Sequence, residues 1–234
     1  MLLLAHECRQ EVQDWPCFVL AVLFHDLVYE PTKDNNEEAS ALAMLDHLRG
    51  TAAADVGFLR RAAASILCTK KHNPGESVSI THEVYGHIDA VLVQDSLSHL
   101  NDVKLLIDCD MAILAADSTR YAAYCDQVRE ENSHLSDDEF ISARLGFLTG
   151  LLGAPSSEEG EASPPLTSLF LSPTFQSLLE HRVQPNIGAE IKKLQGCRFS
   201  KSAGSGRGGG LAIDVAGTEP KGSGDGTGAG AVRN

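Results

Sequence analysis

Two side chains of the kind that bind divalent metal ions, His25 and Asp26, stand side by side at the end of an apolar segment. That segment begins at Phe18, and Pro31 follows the pair. Removing a carboxylate from water costs several kcal/mol unless it is paired or bound to a metal ion. A divalent cation would therefore be an economical partner for this pair.

Further residues of the same kind follow downstream. His72 comes after two lysines, and the acidic pair Asp108 and Asp110 opens another apolar run. Each has an ordinary structural explanation, because a histidine suits a helix C-terminus and a carboxylate suits an N-terminus. Together, mixed imidazole and carboxylate ligands are typical of a divalent metal that keeps positions open for water and substrate oxygens. The functional hypothesis is therefore the set His25, Asp26, His72 and Asp110.

Composition limits the classes of function. A chain of 234 residues fits one domain, or one domain with tails. The net charge of -13 argues against nucleic-acid binding as the main activity, and a phosphate ligand would need a metal or local Lys and Arg. No run of apolar residues approaches the length of a membrane span. Six cysteines without a CxxC motif indicate reduced, mostly buried thiols, so we expect a cytoplasmic protein.

Helical periodicity dominates the chain and predicts an all-α fold. A helix over 16–29 is apolar almost all round and should be buried. Further helices are predicted over 2–12, 36–50, 57–72, 81–97, 103–116, 119–132, 137–152 and 174–194. Residues 153–165 are typical of a loop or insertion, and the Gly-rich residues 198–234 predict a disordered tail. The helical domain should therefore cover residues 1–197.

The order of the ligands resembles a known family. The sequence has His-Asp, then a single His well downstream, then Asp in an apolar helix. This order is similar to that of the HD-domain superfamily of metal-dependent phosphohydrolases. Within the superfamily, the resemblance is to one branch of predicted phosphohydrolases. Several separated blocks carry the likeness in the same order over about residues 21–194. These blocks are Phe24 to Pro31, Asp34 to Ala41, Thr69 to His72, Leu106 to Leu114, Tyr121 to Glu131 and Glu180 to Glu190. The resemblance implies an HD-type helical bundle.

The resemblance also implies the chemistry. His25, Asp26, His72 and Asp110 would hold a divalent metal, which the sequence does not resolve among Mn, Co, Mg, Fe and Zn. Asp108 would replace Asp110 if the register of that block is shifted by two residues. The metal would bind the substrate phosphate and acidify a water that attacks phosphorus. The implied substrate is a nucleotide or a similar small phosphorylated metabolite.

Charged residues near these ligands have two interpretations each. Glu37 and Glu38 either orient the attacking water and carry its proton, or are helix-N-terminal carboxylates in solvent. Lys70 and Lys71 either neutralise phosphate charge or lie at a solvated helix end.

Other residues of metal-binding or family type are assigned structural roles. Cys109 is expected to be a buried thiol, since a thiolate would favour zinc in a tetrahedral site. Asn186 and Glu190 match the last block of the family and should be structural or lie at the edge of the pocket. Three histidines fit no ligand spacing: His82, His87 and His99.

One feature of the family is missing. Its site uses an earlier histidine, in a Tyr-His-x-x-x-His-like segment, as the first ligand, and His6 is too close to His25 to replace it. We therefore expect a chain that is truncated at its N-terminus. The alternative is a non-catalytic HD-fold protein that binds a nucleotide or protein partner and has a degraded metal site. A third possibility is a helical scaffold in which His25 and Asp26 serve packing alone.

Overall fold

The computed structural model describes residues 1–51, 55–72, 78–90, 97–152 and 168–204. The loop or insertion predicted at 153–165, and the predicted tail beyond 204, lie outside these ranges. Within them the chain forms eight α-helices, one 3-10 helix and one β-hairpin, which confirms the predicted all-α fold class. No helix in these ranges is both long enough and apolar enough to cross a membrane.

The elements follow one another in a simple order. The helices are α1 (Leu2–Glu7), α2 (Trp15–Phe24), α3 (Asn36–Leu48), α4 (Val56–Cys68), α5 (Leu97–Met111), the 3-10 helix (Ala112–Ala115), α6 (Ser118–Glu131), α7 (Asp137–Leu151) and α8 (Pro173–Gly204). The hairpin between α4 and α5 consists of β1 (Ser79–His82) and β2 (Gly86–Asp89). Most of these bounds lie within a few residues of the predicted ones, because caps and apolar periodicity mark helix ends locally.

One hydrophobic core joins the helices. Helix α4 packs against α2 and α3, and α5 contacts α1, α2 and α4. Helix α8 packs along α7 and the 3-10 helix. Fully buried apolar side chains come from each of these groups, including Leu45, Leu59, Leu67, Leu106 and Ile187. The core therefore holds the ends of α2, α4 and α5 at fixed positions relative to one another.

Helix α2 begins as predicted and ends earlier than predicted. Asp14 is its N-cap and accepts the backbone N–H of Cys17, with proline in the first turn. The helix stops at Phe24, because α3 supplies hydrogen bonds to the backbone that follows. Ser40 Oγ bonds both the N–H and the carbonyl of Val28, at 3.0 and 3.2 Å. These side-chain bonds replace the helical ones that the sequence predicted up to residue 29.

The predicted helix over 81–97 was wrong in the part that the structure describes, where a hairpin pairs Ser79 with Asp89. Gly86 takes a left-handed φ of 71° in the turn, and His82 Nδ1 accepts the backbone N–H of Val84 at 3.1 Å. The guanidinium of Arg60, on α4, donates to two carbonyl oxygens of the hairpin. Long-range hydrogen bonds of this kind override a helical pattern in the sequence.

The last helix is longer than predicted. Helix α8 continues to Gly204, beyond the predicted end at residue 194 and beyond the domain boundary placed at residue 197.

The expected thiols are present: all six cysteines are free. Four of them are buried, namely Cys8, Cys17, Cys68 and Cys109.

Candidate metal centre

His25 stands at the C-terminal end of α2, where its backbone N–H still bonds to the carbonyl oxygen of Ala21. Its ring nitrogen Nδ1 lies 3.0 Å from the carbonyl oxygen of Val22. Because a carbonyl oxygen only accepts hydrogen bonds, Nδ1 carries a hydrogen, and Nε2 is the nitrogen left for other partners. The end of α2 thus fixes both the orientation of the ring and its tautomer.

Two carboxylates meet this Nε2 atom. Asp26 Oδ2 lies 3.3 Å from it and Asp110 Oδ1 lies 3.5 Å from it. One ligand atom from each of the three residues lies within 4.8 Å of the other two. The side chains of His25 and Asp110 are 12% and 19% exposed, whereas that of Asp26 is 46% exposed. The cluster therefore has a recessed part and a solvent-facing part.

His72 reaches the same cluster from the turn that follows α4. Its Nε2 lies 3.1 Å from Asp110 Oδ2, the carboxylate oxygen that does not face His25. Its backbone φ of 50° is in the left-handed region, which residues with a Cβ atom adopt rarely. Backbone strain of this kind persists where surrounding contacts hold it, often at functional sites. Because His72 contacts only the outer oxygen of Asp110, it lies beside the compact group formed by His25, Asp26 and Asp110 and is not part of it.

Electrostatic coupling between these groups is strong. Burial disfavours the imidazolium of His25, but hydrogen bonds to Asp110 and Asp26 outweigh burial and raise its pKa to about 10. Burial also disfavours the Asp110 carboxylate. Hydrogen bonds from His25 and His72 outweigh that effect and hold the pKa of Asp110 well below its usual range. The geometry thus favours a positive charge between the carboxylates.

The donor set fits a divalent metal ion. A neutral His25 would turn its Nε2 lone pair toward two carboxylate oxygens, so three acceptors would face one another. A proton or a metal ion removes that conflict. Ligand atoms within 4.8 Å of one another suit an ion that forms bonds of about 2.0–2.6 Å. One imidazole and two carboxylates fit a hard or borderline ion and do not distinguish Mn, Co, Mg, Fe and Zn.

The two glutamates predicted as catalytic lie in the first turn of α3. The alternative that placed them in solvent was wrong, because Glu37 is 2% exposed and the side chain of Glu38 is 20% exposed. Glu38 pairs with Lys70 through Oε1. Its buried Oε2 accepts no hydrogen bond from the residues that the structure describes. A role for Glu37 or Glu38 in proton transfer stays a prediction.

The two lysines predicted to bind substrate, Lys70 and Lys71, lie in the turn after α4 and have different surroundings. Lys70 forms an ion pair with Glu38, and its side chain is only 20% exposed. The alternative that placed Lys70 at a solvated helix end was therefore wrong. Lys71 is exposed. Substrate binding by either lysine stays a prediction.

Asp108, the alternative ligand, lies elsewhere. Its carboxylate is fully buried and accepts the backbone N–H groups of Leu171 and Ser172 at 2.7 and 2.8 Å. Two residues on a helix are about 200° apart around its axis, so Asp108 and Asp110 face different sides of α5. The structure thus places Asp110, and not Asp108, beside His25.

Cys109 lies between these aspartates and is 4% exposed. A hydrogen bond with Cys8 and burial raise the pKa of its thiol. It is the buried thiol that the sequence predicted, and a thiolate ligand for zinc is not favoured.

The last block of the family resemblance has structural contacts. The side-chain amide of Asn186 donates to the carbonyl oxygens of Leu114 and Ala116, both at 2.9 Å. Glu190 is buried and accepts from the guanidinium of Arg144 at 2.8 Å and from the hydroxyl of Tyr121 at 2.5 Å. The predicted structural role of these residues agrees with these contacts.

The three histidines that fit no ligand spacing each contact the side chain of another residue. His82 contacts Asp46 with its Nε2 atom at 3.3 Å, and His99 contacts Ser65 Oγ at 3.2 Å. His87 contacts Thr81 Oγ1 at 3.4 Å across the hairpin.

A cavity of about 400 Å³ opens beside the cluster, with His25 and Asp110 in its wall. Two arginines, Arg120 on α6 and Arg182 on α8, also line it. The sequence analysis did not single them out, although Arg182 lies within the block from Glu180 to Glu190 and Arg120 directly precedes the block that begins at Tyr121. The available signal was the overall charge of -13, which requires local cations wherever an anion binds. Lys70 and Lys71 are not among the described residues that line this cavity.

Comparison with known proteins adds no assignment. No protein-family model, no curated protein and no solved structure matches this chain.

Proposed function

We propose that this chain is a metal-dependent phosphohydrolase of the HD type, acting on a small phosphorylated metabolite such as a nucleotide. The observation that carries the proposal is the meeting of His25 Nε2 with Asp26 and Asp110 at 3.3 and 3.5 Å. The hydrogen bond from Nδ1 to Val22 fixes this orientation. A histidine whose other nitrogen is bonded to a backbone carbonyl is the usual arrangement of a metal ligand.

Three residues would hold the ion, and His72 would support them. His25, Asp26 and Asp110 supply the ligand atoms, while His72 holds the other oxygen of Asp110 at 3.1 Å. A bound divalent ion would supply Lewis acidity and lower the pKa of a coordinated water. Hydrolysis adds water to phosphorus, breaks the ester P–O bond and releases an alcohol and inorganic phosphate.

Glu38 is the residue we assign to proton transfer. Lys70 binds one of its carboxylate oxygens, which orients the side chain, and the other oxygen is buried. A carboxylate held in this way can accept a proton from water and return it to the leaving alcohol. The glutamate next to it, Glu37, is almost fully buried and is the second candidate.

The surroundings suit a small anionic substrate. A cavity of about 400 Å³ is within the range of small-molecule sites. In a protein with a net charge of -13, cations at the site are needed to attract a phosphate.

The six free cysteines fit a reducing compartment, so we place the activity in the cytoplasm.

Metal content and turnover test the proposal together. Purified wild type, Asp26→Ala and Asp34→Ala are loaded with Mn²⁺, Co²⁺ or Mg²⁺, analysed for bound metal and assayed for phosphate release from a panel of phosphomonoesters. Asp34 is an exposed aspartate of the neighbouring loop and serves as the matched control. We expect about one equivalent of metal and turnover in wild type and Asp34→Ala, and the loss of both in Asp26→Ala.

Other outcomes identify the rival functions. Metal binding through Asp26 without phosphate release would indicate a non-catalytic HD-fold binding protein. Turnover that survives in Asp26→Ala would contradict the assignment of the site. Absence of metal from every form would leave a helical scaffold in which a protonated His25, and not a metal ion, balances the carboxylates of Asp26 and Asp110.

A further inference from the structure

The two arginines of the cavity are separate from the metal cluster. Arg120 and Arg182 are exposed, whereas the side chains of His25 and Asp110 are only 12% and 19% exposed. The arginines therefore lie at the open part of the cavity, and the cluster lies at its recessed part. Their helices, α6 and α8, pack against each other, so both guanidinium groups are carried by rigid elements.

Within the described ranges, neither Arg120 nor Arg182 takes part in an ion pair, even though acidic residues outnumber basic ones by 32 to 19. Each arginine offers five N–H donors in a planar arrangement that matches a carboxylate or phosphate. Two such groups on one cavity wall match the charge and the geometry of an anionic group.

The rest of the wall is mostly apolar, apart from Asp117, whose carboxylate accepts the backbone N–H groups of Thr119 and Arg120 at the start of α6. Leu4, Ile113 and Leu179 line the same cavity. A ligand that extends from the cluster to the arginines would place carbon atoms against this surface. The cavity thus presents a candidate metal at its recessed end, cations at its open end and apolar side chains as well.

We propose that Arg120 and Arg182 bind a second anionic group of the substrate. The substrate class is then a small metabolite with a phosphate ester and a further carboxylate or phosphate, joined by a short carbon skeleton. The inference rests on the proposed function in that the ester phosphate is assigned to the metal cluster. In this proposal Arg120 and Arg182, and not Lys70 and Lys71, are the main cationic residues that bind the substrate.

A pair of ligands that cannot be hydrolysed tests this without turnover. 3-Phosphonopropionate and n-propylphosphonate have the same carbon chain length and phosphonate, but only the first carries a carboxylate. Their affinities are measured by calorimetry with and without saturating Mn²⁺, for wild type, Arg120→Gln/Arg182→Gln and Arg198→Gln. Arg198 is an exposed arginine farther along α8 that does not line the cavity, so it controls for the loss of charge.

In wild type and Arg198→Gln we expect 3-phosphonopropionate to bind at least about tenfold more tightly than n-propylphosphonate. In Arg120→Gln/Arg182→Gln the two ligands should bind about equally. Equal affinities in wild type, an advantage that persists in the double variant, or no binding of either ligand would overturn the inference.

The proposed function can fail separately. If wild type releases no phosphate from any ester but keeps the arginine-dependent preference, the hydrolase proposal fails and the anion site stands. If esters are hydrolysed but the carboxylate gives no advantage, the hydrolase stands and the second anion site is overturned.

Discussion

Asp108 and Asp110 lie two residues apart on α5 and contact different parts of the protein. Asp108 accepts the backbone N–H groups of Leu171 and Ser172, just before α8 begins. Asp110 faces His25 and His72 at 3.5 and 3.1 Å. One carboxylate anchors a neighbouring segment and the other belongs to the candidate metal centre.

Asp108→Ala should destabilise the protein and leave the candidate metal centre intact. Two backbone N–H groups would lose their acceptor inside the protein, which costs about 2 kcal/mol or more. Urea unfolding measures the free energy of unfolding, and the folded variant should take up as much metal as wild type. Asp34→Ala, in exposed surroundings, should change stability by less than about 0.5 kcal/mol. An unchanged urea midpoint for Asp108→Ala would contradict the anchoring role.

Asp110→Asn should lower the pKa of His25 in the metal-free protein. The pKa of about 10 depends on the charge of Asp110, with Asp26 as the second contributor. Removing the Asp110 charge should move the pKa toward the ordinary value of about 6.5. An NMR titration of the His25 ring protons measures this shift. Asp34→Asn should leave the pKa unchanged, and a wild-type pKa near 6.5 would refute the coupling.

The stability of the metal-free protein should fall from pH 7 to pH 10. The folded-state pKa of His25, about 10, is raised above the ordinary value of 6.5. Its stabilising contribution is therefore complete below pH 6.5 and is lost as pH rises through 10. The free energy of unfolding should decrease by at most about 1.4 kcal/mol per pH unit from this group.

Denaturant unfolding at several pH values, with chelator present, measures that slope. Asp110→Asn should flatten it over the same window. The lowered pKa of Asp110 itself affects stability only in acid, because that contribution is present above its ordinary value of 3.8 and is lost below it. A slope that is the same in wild type and Asp110→Asn would count against His25 as its source.

Glu190→Gln should destabilise the protein by about 3–5 kcal/mol, because it leaves the guanidinium of Arg144 buried without its countercharge. Arg144 is 0% exposed, and its Nε donates to Glu190 Oε1 at 2.8 Å. Removing both charges in Arg144→Met/Glu190→Leu should cost less than Glu190→Gln alone. Thermal or urea unfolding compares the variants.

The matched control for that pair is Lys193→Gln. Lys193 also pairs with a carboxylate, that of Asp126 at 3.9 Å, but both side chains are largely exposed. Exposed pairs contribute about 0–1 kcal/mol, so stability should hardly change. If Lys193→Gln were as destabilising as Glu190→Gln, burial would not be the cause of the effect.

Local features of the sequence were sufficient for much of the fold. Asp14 with the proline after Trp15 marked the start of α2, and Ser136 with Glu139 forms a capping box at the start of α7. Such signals act between residues a few positions apart, so they survive without tertiary information. The adjacency of His25 and Asp26 is likewise a property of the chain alone.

Contacts between distant segments decided the rest. The hairpin over 79–89 is held by Arg60 of α4, and the early end of α2 is stabilised by Ser40 of α3. Neither effect leaves a local pattern, because the partners are far apart in sequence and become neighbours only when the core closes.

The candidate site divides in the same way. The sequence by itself determined the residue types that could bind a metal ion and the helical segments that carry them. Only the tertiary structure decided that Asp110, and not Asp108, faces His25, and that Arg120 and Arg182 share its cavity. The physical reason is that side-chain direction around a helix, and proximity between helices, depend on packing, which brings residues together regardless of their spacing along the chain.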